Sequence, residues 1–182
     1  KVFNSIEGGA VTFQEDWMEH RLNCLKNFGI VDQEHVVWVG GNAKMNEFQA
    51  AMGLCNLHHL DQEIDRRRLV VERYLSGLAG VPGIRLPSFR EGLTPNYAYF
   101  PVLFEDFKAD RDQVYDCLAG HRIYPRKYFY PLINDFQCYK GRFSSKDTPV
   151  AAYVADRVLT LPCYADLELE DVDRICGIIR GM

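Results

Sequence analysis

Three stretches of this sequence carry residue types that can do chemistry. The first is Lys1 in Lys1-Val-Phe-Asn-Ser-Ile-Glu-Gly-Gly-Ala10. A lysine amine has a pKa of about 10.4 in water, so it is an ordinary surface cation unless something makes it a nucleophile. Read alone, the stretch is a strand or turn edge. The second is Val39-Gly-Gly-Asn-Ala-Lys-Met-Asn46. Two glycines let a backbone approach a ligand without interference from Cβ. Asn42 offers an amide donor and Lys44 a cation, just before a helix whose N-terminus favours anions. The stretch reads either as a phosphate site or as a plain loop into a helix. The third is Tyr124-Pro-Arg-Lys-Tyr-Phe-Tyr-Pro131. Arg126 can fork onto a phosphate or carboxylate, and a tyrosine can stack on a sugar or base. If extended, Arg126, Tyr128 and Tyr130 share one face and Lys127 and Phe129 the other. The alternative is an edge strand whose aromatics join the core.

Other chemistries find little support. The nucleotide-binding patterns G-x-x-x-x-G-K-[ST] and G-x-G-x-x-G are absent, as are G-x-S-x-G and H-E-x-x-H. His58 and His59 stand near Asp61 and Glu63. Adjacent histidines on a helix point in different directions, so no metal site is expected. Six cysteines are scattered without a C-x-x-C pair, which fits reduced, mostly buried thiols in a cytoplasmic protein. The net charge of −4 gives no basic excess for nucleic acid. No apolar run approaches the roughly 20 residues that span a membrane. The chain opens on Lys-Val-Phe without an initiator methionine, which suggests an internal starting point.

The elements that must position these residues follow from periodicity. Gly8–Phe13 reads as a short strand and Gln14–Asn27 as a helix with Trp17, Met18, Leu22 and Leu25 on one face. His35–Val39 is a short β-like run. Asn46 caps a long helix, with Gln49 in the capping-box position. That helix carries a broken apolar period to Gly80, about 50 Å if continuous, with a kink expected near His58-His59. Gly53 within it implies close packing against another backbone. Asp61, Glu63 and Asp65 ahead of Arg66-Arg67-Arg68 read as a solvated, self-paired face. Beyond Val81-Pro82-Gly83 come strands at Ile84–Leu86 and Tyr97–Phe104, a helix at Asp110–Gly120 and a strand beginning at Arg122–Pro125. A helix at Thr148–Val158, an extended run at Val158–Leu161 and a last helix at Leu167–Ile179 complete the chain. Alternating strands and helices give an α/β or α+β module. The 182 residues amount to one large domain, or one domain plus part of another.

Taken together, the blocks resemble the sugar aminotransferases of the DegT/DnrJ/EryC1/StrS family, which use pyridoxal phosphate. The resemblance rests on Lys1–Ala10, on Gly41-Asn-Ala-Lys-Met-Asn-Glu-Phe-Gln-Ala-Ala-Met-Gly-Leu54, on Arg126–Leu132 and on Leu159-Thr-Leu-Pro-Cys-Tyr164, in that order. It implies an α/β fold type I transferase. Residues 1–75 would be the end of the large cofactor domain and the connecting helix, and 76–182 the α+β small C-terminal domain. Lys1 would be the catalytic lysine, joined to the cofactor aldehyde as a Schiff base and later shuttling a proton. Asn42 would reach the cofactor phosphate of a neighbouring subunit, which implies a homodimer. Arg126 and Tyr128 would bind substrate.

The function implied is transfer of an amino group, with glutamate as donor, to a nucleotide-linked keto-deoxysugar. Relatives with a Pro-Leu-His run carry a histidine where this chain has Ile133, so the sugar is left open. The alternative is a non-catalytic fragment or partner module that supplies Asn42 in trans. Activity is expected of the parent protein rather than of these residues alone. Val11, Trp17, Val36 and Trp38 are expected to be exposed and to drive self-association.

Overall fold

The computed structural model describes residues 1–182. They form two units, one of Lys1 and Phe3–Leu60, the other of Val2 and Asp61–Met182. The first unit contains helix α1 (Trp17–Leu25) and the opening turns of helix α2 (Glu47–Gly77). The strand expected at Gly8–Phe13 is not there, since the run has no ladder, and the β-branched run His35–Val39 contributes only an isolated bridge between Ile30 and Val36. An extended run becomes a strand only where a neighbour supplies its backbone donors and acceptors. Helix α1 starts three residues later than its apolar period suggests, after Asp16, which makes no side-chain cap.

Helix α2 begins where the capping box puts it. Asn46 Oδ1 accepts from the Gln49 backbone N–H at 2.9 Å, and Gln49 Oε1 accepts from the Asn46 backbone N–H at 3.4 Å. The helix then runs unbroken through His58 and His59 to Gly77, about 46 Å at 1.5 Å per residue, so no interruption marks the expected kink. Gly53 does sit in a tight spot, but against a side chain: a Cβ there would lie 3.2 Å from Ser5 Cβ.

The hydrophobic core lies in the second unit. Val70, Val71 and Tyr74 of α2, with Leu78 just beyond it, face a three-stranded antiparallel sheet in the order β1-β2-β3. Its strands are β1 (Ile84–Arg85), β2 (Phe100–Phe104) and β3 (Val158–Leu161). Along β2 the residues Phe100, Val102 and Phe104 alternate inward. Register is fixed by Phe100 opposite Leu161 and Val102 opposite Leu159. Helices α3 (Arg111–Gly120), α4 (Pro149–Ala155) and α5 (Leu169–Gly181) complete the unit. Helix α5 turns Val172, Ile175, Cys176 and Ile179 inward at i, i+3, i+4 and i+7. Each fully buried aliphatic side chain of this kind stabilises by about 1.5–3 kcal/mol. Between α3 and α4 lie three short 3-10 turns, Ile133–Asp135, Gln137–Tyr139 and Ser145–Asp147, where the sequence pattern shows no element.

The arginine run on α2 is only partly the solvated face expected. Arg68 pairs with Glu72 at 3.1 Å and Asp65 at 3.6 Å along the helix. Arg66 instead reaches Asp166 at 2.9 Å, and beyond the run Arg73 forks onto Asp173 of α5 with two bonds of 2.6 Å. Arg67 is buried, and its Nη1 donates to the Cys163 carbonyl at 2.8 Å. The six thiols are all free, and only Cys24 and Cys176 are buried while Cys55 and Cys138 are exposed; the cysteines are not mostly buried. Burial pushes the Cys176 thiol up to about 11. No helix is long and apolar enough to cross a membrane.

Candidate functional site

In the first unit the Gly40–Asn46 loop is laid against the C-terminal end of α1. The Gly41 N–H donates to Leu25 O at 2.9 Å, Phe28 N–H to Gly41 O at 2.9 Å, and Ala43 N–H to Lys26 O at 2.9 Å. This close approach explains Gly40. A Cβ on Gly40 would lie 2.4 Å from Gly29 N and 2.5 Å from Leu25 O, and Gly29 itself has φ +80°. Gly40 therefore serves the crossing of two backbone segments, whereas nothing lies within 4 Å of a Cβ on Gly41.

The loop borders a cleft of about 960 Å³ whose lining includes Gly8, Gly9, Asn42, Lys44 and Gln49. Asn42 is exposed, bridges Asn27 through its backbone, and keeps its carboxamide free of internal hydrogen bonds. Lys44 is already engaged. Its Nζ donates to Asn27 Oδ1 at 2.9 Å and lies 4.6 Å from the centre of the Phe28 ring. Asn46 is likewise committed to its cap. Of the polar side chains in Gly41–Asn46, Asn42 is the one left to meet an anion. Lys1 is exposed and its amine has no internal hydrogen bond or ion pair. It does not line the Asn42 cleft. An exposed amine suits an aldehyde and a free amide suits a phosphate, and the two do not line one cleft.

In the second unit the Tyr124–Pro131 run sits beside β3. Arg126 N–H donates to Thr160 O at 3.0 Å, and Thr160 N–H to Arg126 O at 2.8 Å. The expected strand from Arg122 is reduced to this one bridge. The chain then turns, with the Tyr130 N–H donating to Lys127 O at 2.8 Å. That turn breaks the alternation expected of an extended run. Arg126 and Tyr128 do stay together: Arg126 Nη1 donates to Tyr128 Oη at 3.1 Å. Tyr130 leaves them and stacks on the Arg111 guanidinium at 4.6 Å. Phe129 stacks on Tyr128 at 4.3 Å instead of opposing it. The aromatics do not join the core; Phe129 is 69% exposed. Arg126, Tyr128, Phe129, Tyr130 and Phe136 border a cleft of about 830 Å³. A guanidinium beside open aromatic faces suits an anion attached to a planar or sugar ring.

Two neighbours of this cleft carry no chemical motif in the sequence. Arg111, 4% exposed, donates from Nη1 to Ala155 O at 2.9 Å. Asp112 lies between Arg111 and Lys127, and Lys127 holds its carboxyl below the usual carboxylate range, helped by Arg111. Their one trace in the sequence is the Asp110 capping box that starts α3 beside them. No group of histidine, cysteine and carboxylate side chains is arranged to hold a metal ion.

The description "DegT/DnrJ/EryC1/StrS aminotransferase family" fits residues 1–180 of this chain. A dTDP-4-amino-4,6-dideoxy-D-glucose transaminase of Escherichia coli is 41% identical over 180 residues, covering 97% of this chain and 48% of that protein. One of the same description from Shigella dysenteriae is 36% identical, covering 99% of this chain and 49% of that protein. Among solved structures, DesI in the presence of its TDP-sugar product superposes with a TM-score of 0.87 at 31% identity, covering 99% of this chain and 46% of that one. DesV of S. venezuelae gives a TM-score of 0.84 at 30% identity, covering 92% and 44%. The chain spans about half the length of the relatives it matches.

Proposed function

This chain belongs to the DegT/DnrJ/EryC1/StrS aminotransferase family, and on that premise we propose that it is the later part of a pyridoxal-phosphate-dependent aminotransferase acting on a nucleotide-linked keto-deoxysugar. The observation that carries the reading is the family match over residues 1–180, which includes the exposed side chain of Lys1. Residues 1–75 are assigned to the end of the large domain and the connecting helix, and 76–182 to the small domain. The protein is read as a cytoplasmic homodimer.

When bound, pyridoxal phosphate supplies an electron sink that eases removal of the proton from the carbon bearing the transferred nitrogen. Lys1 would hold the cofactor through its amine, and that amine would take up the proton and hand it back at the other carbon. Asn42 would hold the cofactor phosphate of a neighbouring subunit through its free amide. Arg126 places its charge against the diphosphate of the substrate, and the Tyr128 ring packs on the sugar or base. The amino donor, read as glutamate, leaves as a 2-oxo acid. The relatives' names point to a product bearing an amine at C4 of a dTDP-linked 6-deoxyhexose. Transamination exchanges a carbonyl for that amine, so the acceptor is the corresponding 4-keto sugar.

The test is a coupled assay of the purified parent protein with pyridoxal phosphate, L-glutamate and dTDP-4-keto-6-deoxyglucose. Amino sugar and 2-oxoglutarate should form in equal amounts, and Lys1→Ala should abolish both. Turnover that survives Lys1→Ala would remove the reading.

A further inference from the structure

We propose that Asp112 is a positioning residue that holds the Arg126–Tyr130 run in place, so that Arg126 and Tyr128 are presented to the cleft. The inference deepens the substrate reading of that cleft and rests on it. It begins with charge. Arg111 is 4% exposed, and its side chain faces Ala155 O, the Tyr130 ring and Asp112. Asp112 is the sole acid within ion-pair reach of it: Nε lies 2.6 Å from Asp112 Oδ1, an ion pair without an aligned hydrogen bond. The same oxygen lies 2.5 Å from Lys127 Nζ. One carboxylate therefore sits between two cations.

Removing its charge would leave Arg111 and Lys127 facing each other across the space it fills. Arg111 cannot retreat into water without giving up the Ala155 carbonyl and the Tyr130 ring. Lys127, whose side chain is 30% exposed, can. It would also leave the Tyr115 ring, which its Nζ now approaches to 4.9 Å. Lys127 is bonded directly to Arg126 and Tyr128, and its carbonyl accepts the Tyr130 N–H at 2.8 Å. Movement of Lys127 therefore reaches both candidate substrate residues. Asp112 lines no part of the cleft itself, so its influence runs through Lys127 and Arg111.

The experiment compares the 182-residue chain with Asp112→Asn, which keeps the shape and removes the charge, and with Asp112→Glu, which restores it. Hydrogen exchange of the Tyr128 and Tyr130 amides is measured beside those of Val102 and Leu159 as internal references. Affinity for dTDP is measured by titration. In Asp112→Asn the two loop amides should exchange about fivefold faster, the upper end of what a partly exposed ion pair contributes. The reference amides should be unchanged, dTDP should bind correspondingly more weakly, and Asp112→Glu should recover most of both effects. Unchanged loop exchange in Asp112→Asn overturns the inference, as does faster loop exchange with unaltered dTDP affinity. Faster loop exchange in a chain whose wild type binds no dTDP overturns the substrate reading of the cleft instead, and leaves the positioning intact.

Discussion

Tyr74 is 0% exposed and stacks on Phe100 with ring centres 4.8 Å apart, yet its hydroxyl has no hydrogen-bond partner. Desolvation drives its pKa well above the ordinary tyrosine value, so it stays neutral at any pH of interest. The ring contributes the packing, and the hydroxyl is a buried dipole left unmatched. Leaving such a group unsatisfied costs about 1–3 kcal/mol. Tyr74→Phe should therefore raise stability by about 1 kcal/mol in urea denaturation, and a loss of that size would show that the hydroxyl has a partner. Arg126 is the opposite case, an exposed donor whose internal hydrogen bond goes to a half-buried cleft residue, Tyr128. A hydrogen bond to a charged partner is worth about 1.5–3 kcal/mol. Arg126→Ala should thus raise the KM for the sugar nucleotide by roughly 10- to 100-fold, with a smaller change in kcat. A fall in kcat at unchanged KM would place Arg126 away from ground-state binding.

At the scale of elements, the end of α3 shows a residue working against its local geometry. The Ile123 N–H donates to Leu118 O at 2.9 Å and the Arg122 N–H to Ala119 O at 2.9 Å, a turn that usually holds glycine at the position of Arg122. Arg122 has φ +63°. Left-handed backbone costs a side-chain-bearing residue about 1–2 kcal/mol, and glycine's extra freedom in the unfolded chain costs about 0.5–1 kcal/mol. Arg122→Gly should stabilise by roughly the difference, about 0.5–1 kcal/mol, seen as a higher melting temperature. An unchanged or lower melting temperature would mean that the Arg122 side chain stabilises the turn. Capping is where the sequence was most readable. The Asn46 box lies where its side chains predict, and Asp110 closes a second box with Gln113 at the start of α3, because a cap is local and needs only residues three apart. The run Val158–Leu161 also appears with the expected limits, since its residues are buried on both faces. Gly8–Phe13 failed as a strand because pairing depends on a partner that its own residues do not specify. The Tyr124–Pro131 run was legible as chemistry but not as shape. Nothing at positions 124–131 announces that Tyr130 will stack on Arg111 or that Lys127 will meet Asp112.

Within these 182 residues the two units differ sharply in how they bury apolar surface. The core cluster lies entirely between Val70 and Ile179, in the second unit. In the first unit Cys24 is the one buried hydrophobic residue, while Val11 (65%), Trp17 (59%) and Val36 (68%) are exposed as their sequence context suggests, and Trp38 is half-buried. A unit without a core does not repay the chain entropy of ordering it. Amides in residues 3–60 of the 182-residue chain should exchange within seconds while those of β2, β3 and α5 are protected, and sedimentation should show concentration-dependent association. Uniform protection in a strict monomer would contradict this. The catalytic claim concerns the parent protein and rests on one amine. Its most direct test is borohydride reduction of the protein with pyridoxal phosphate under conditions where the coupled assay shows turnover, followed by peptide mass mapping of the modified lysine. The account predicts a single pyridoxyl group on Lys1; a label on Lys44, Lys127 or any other lysine, with Lys1 unmodified, would contradict it.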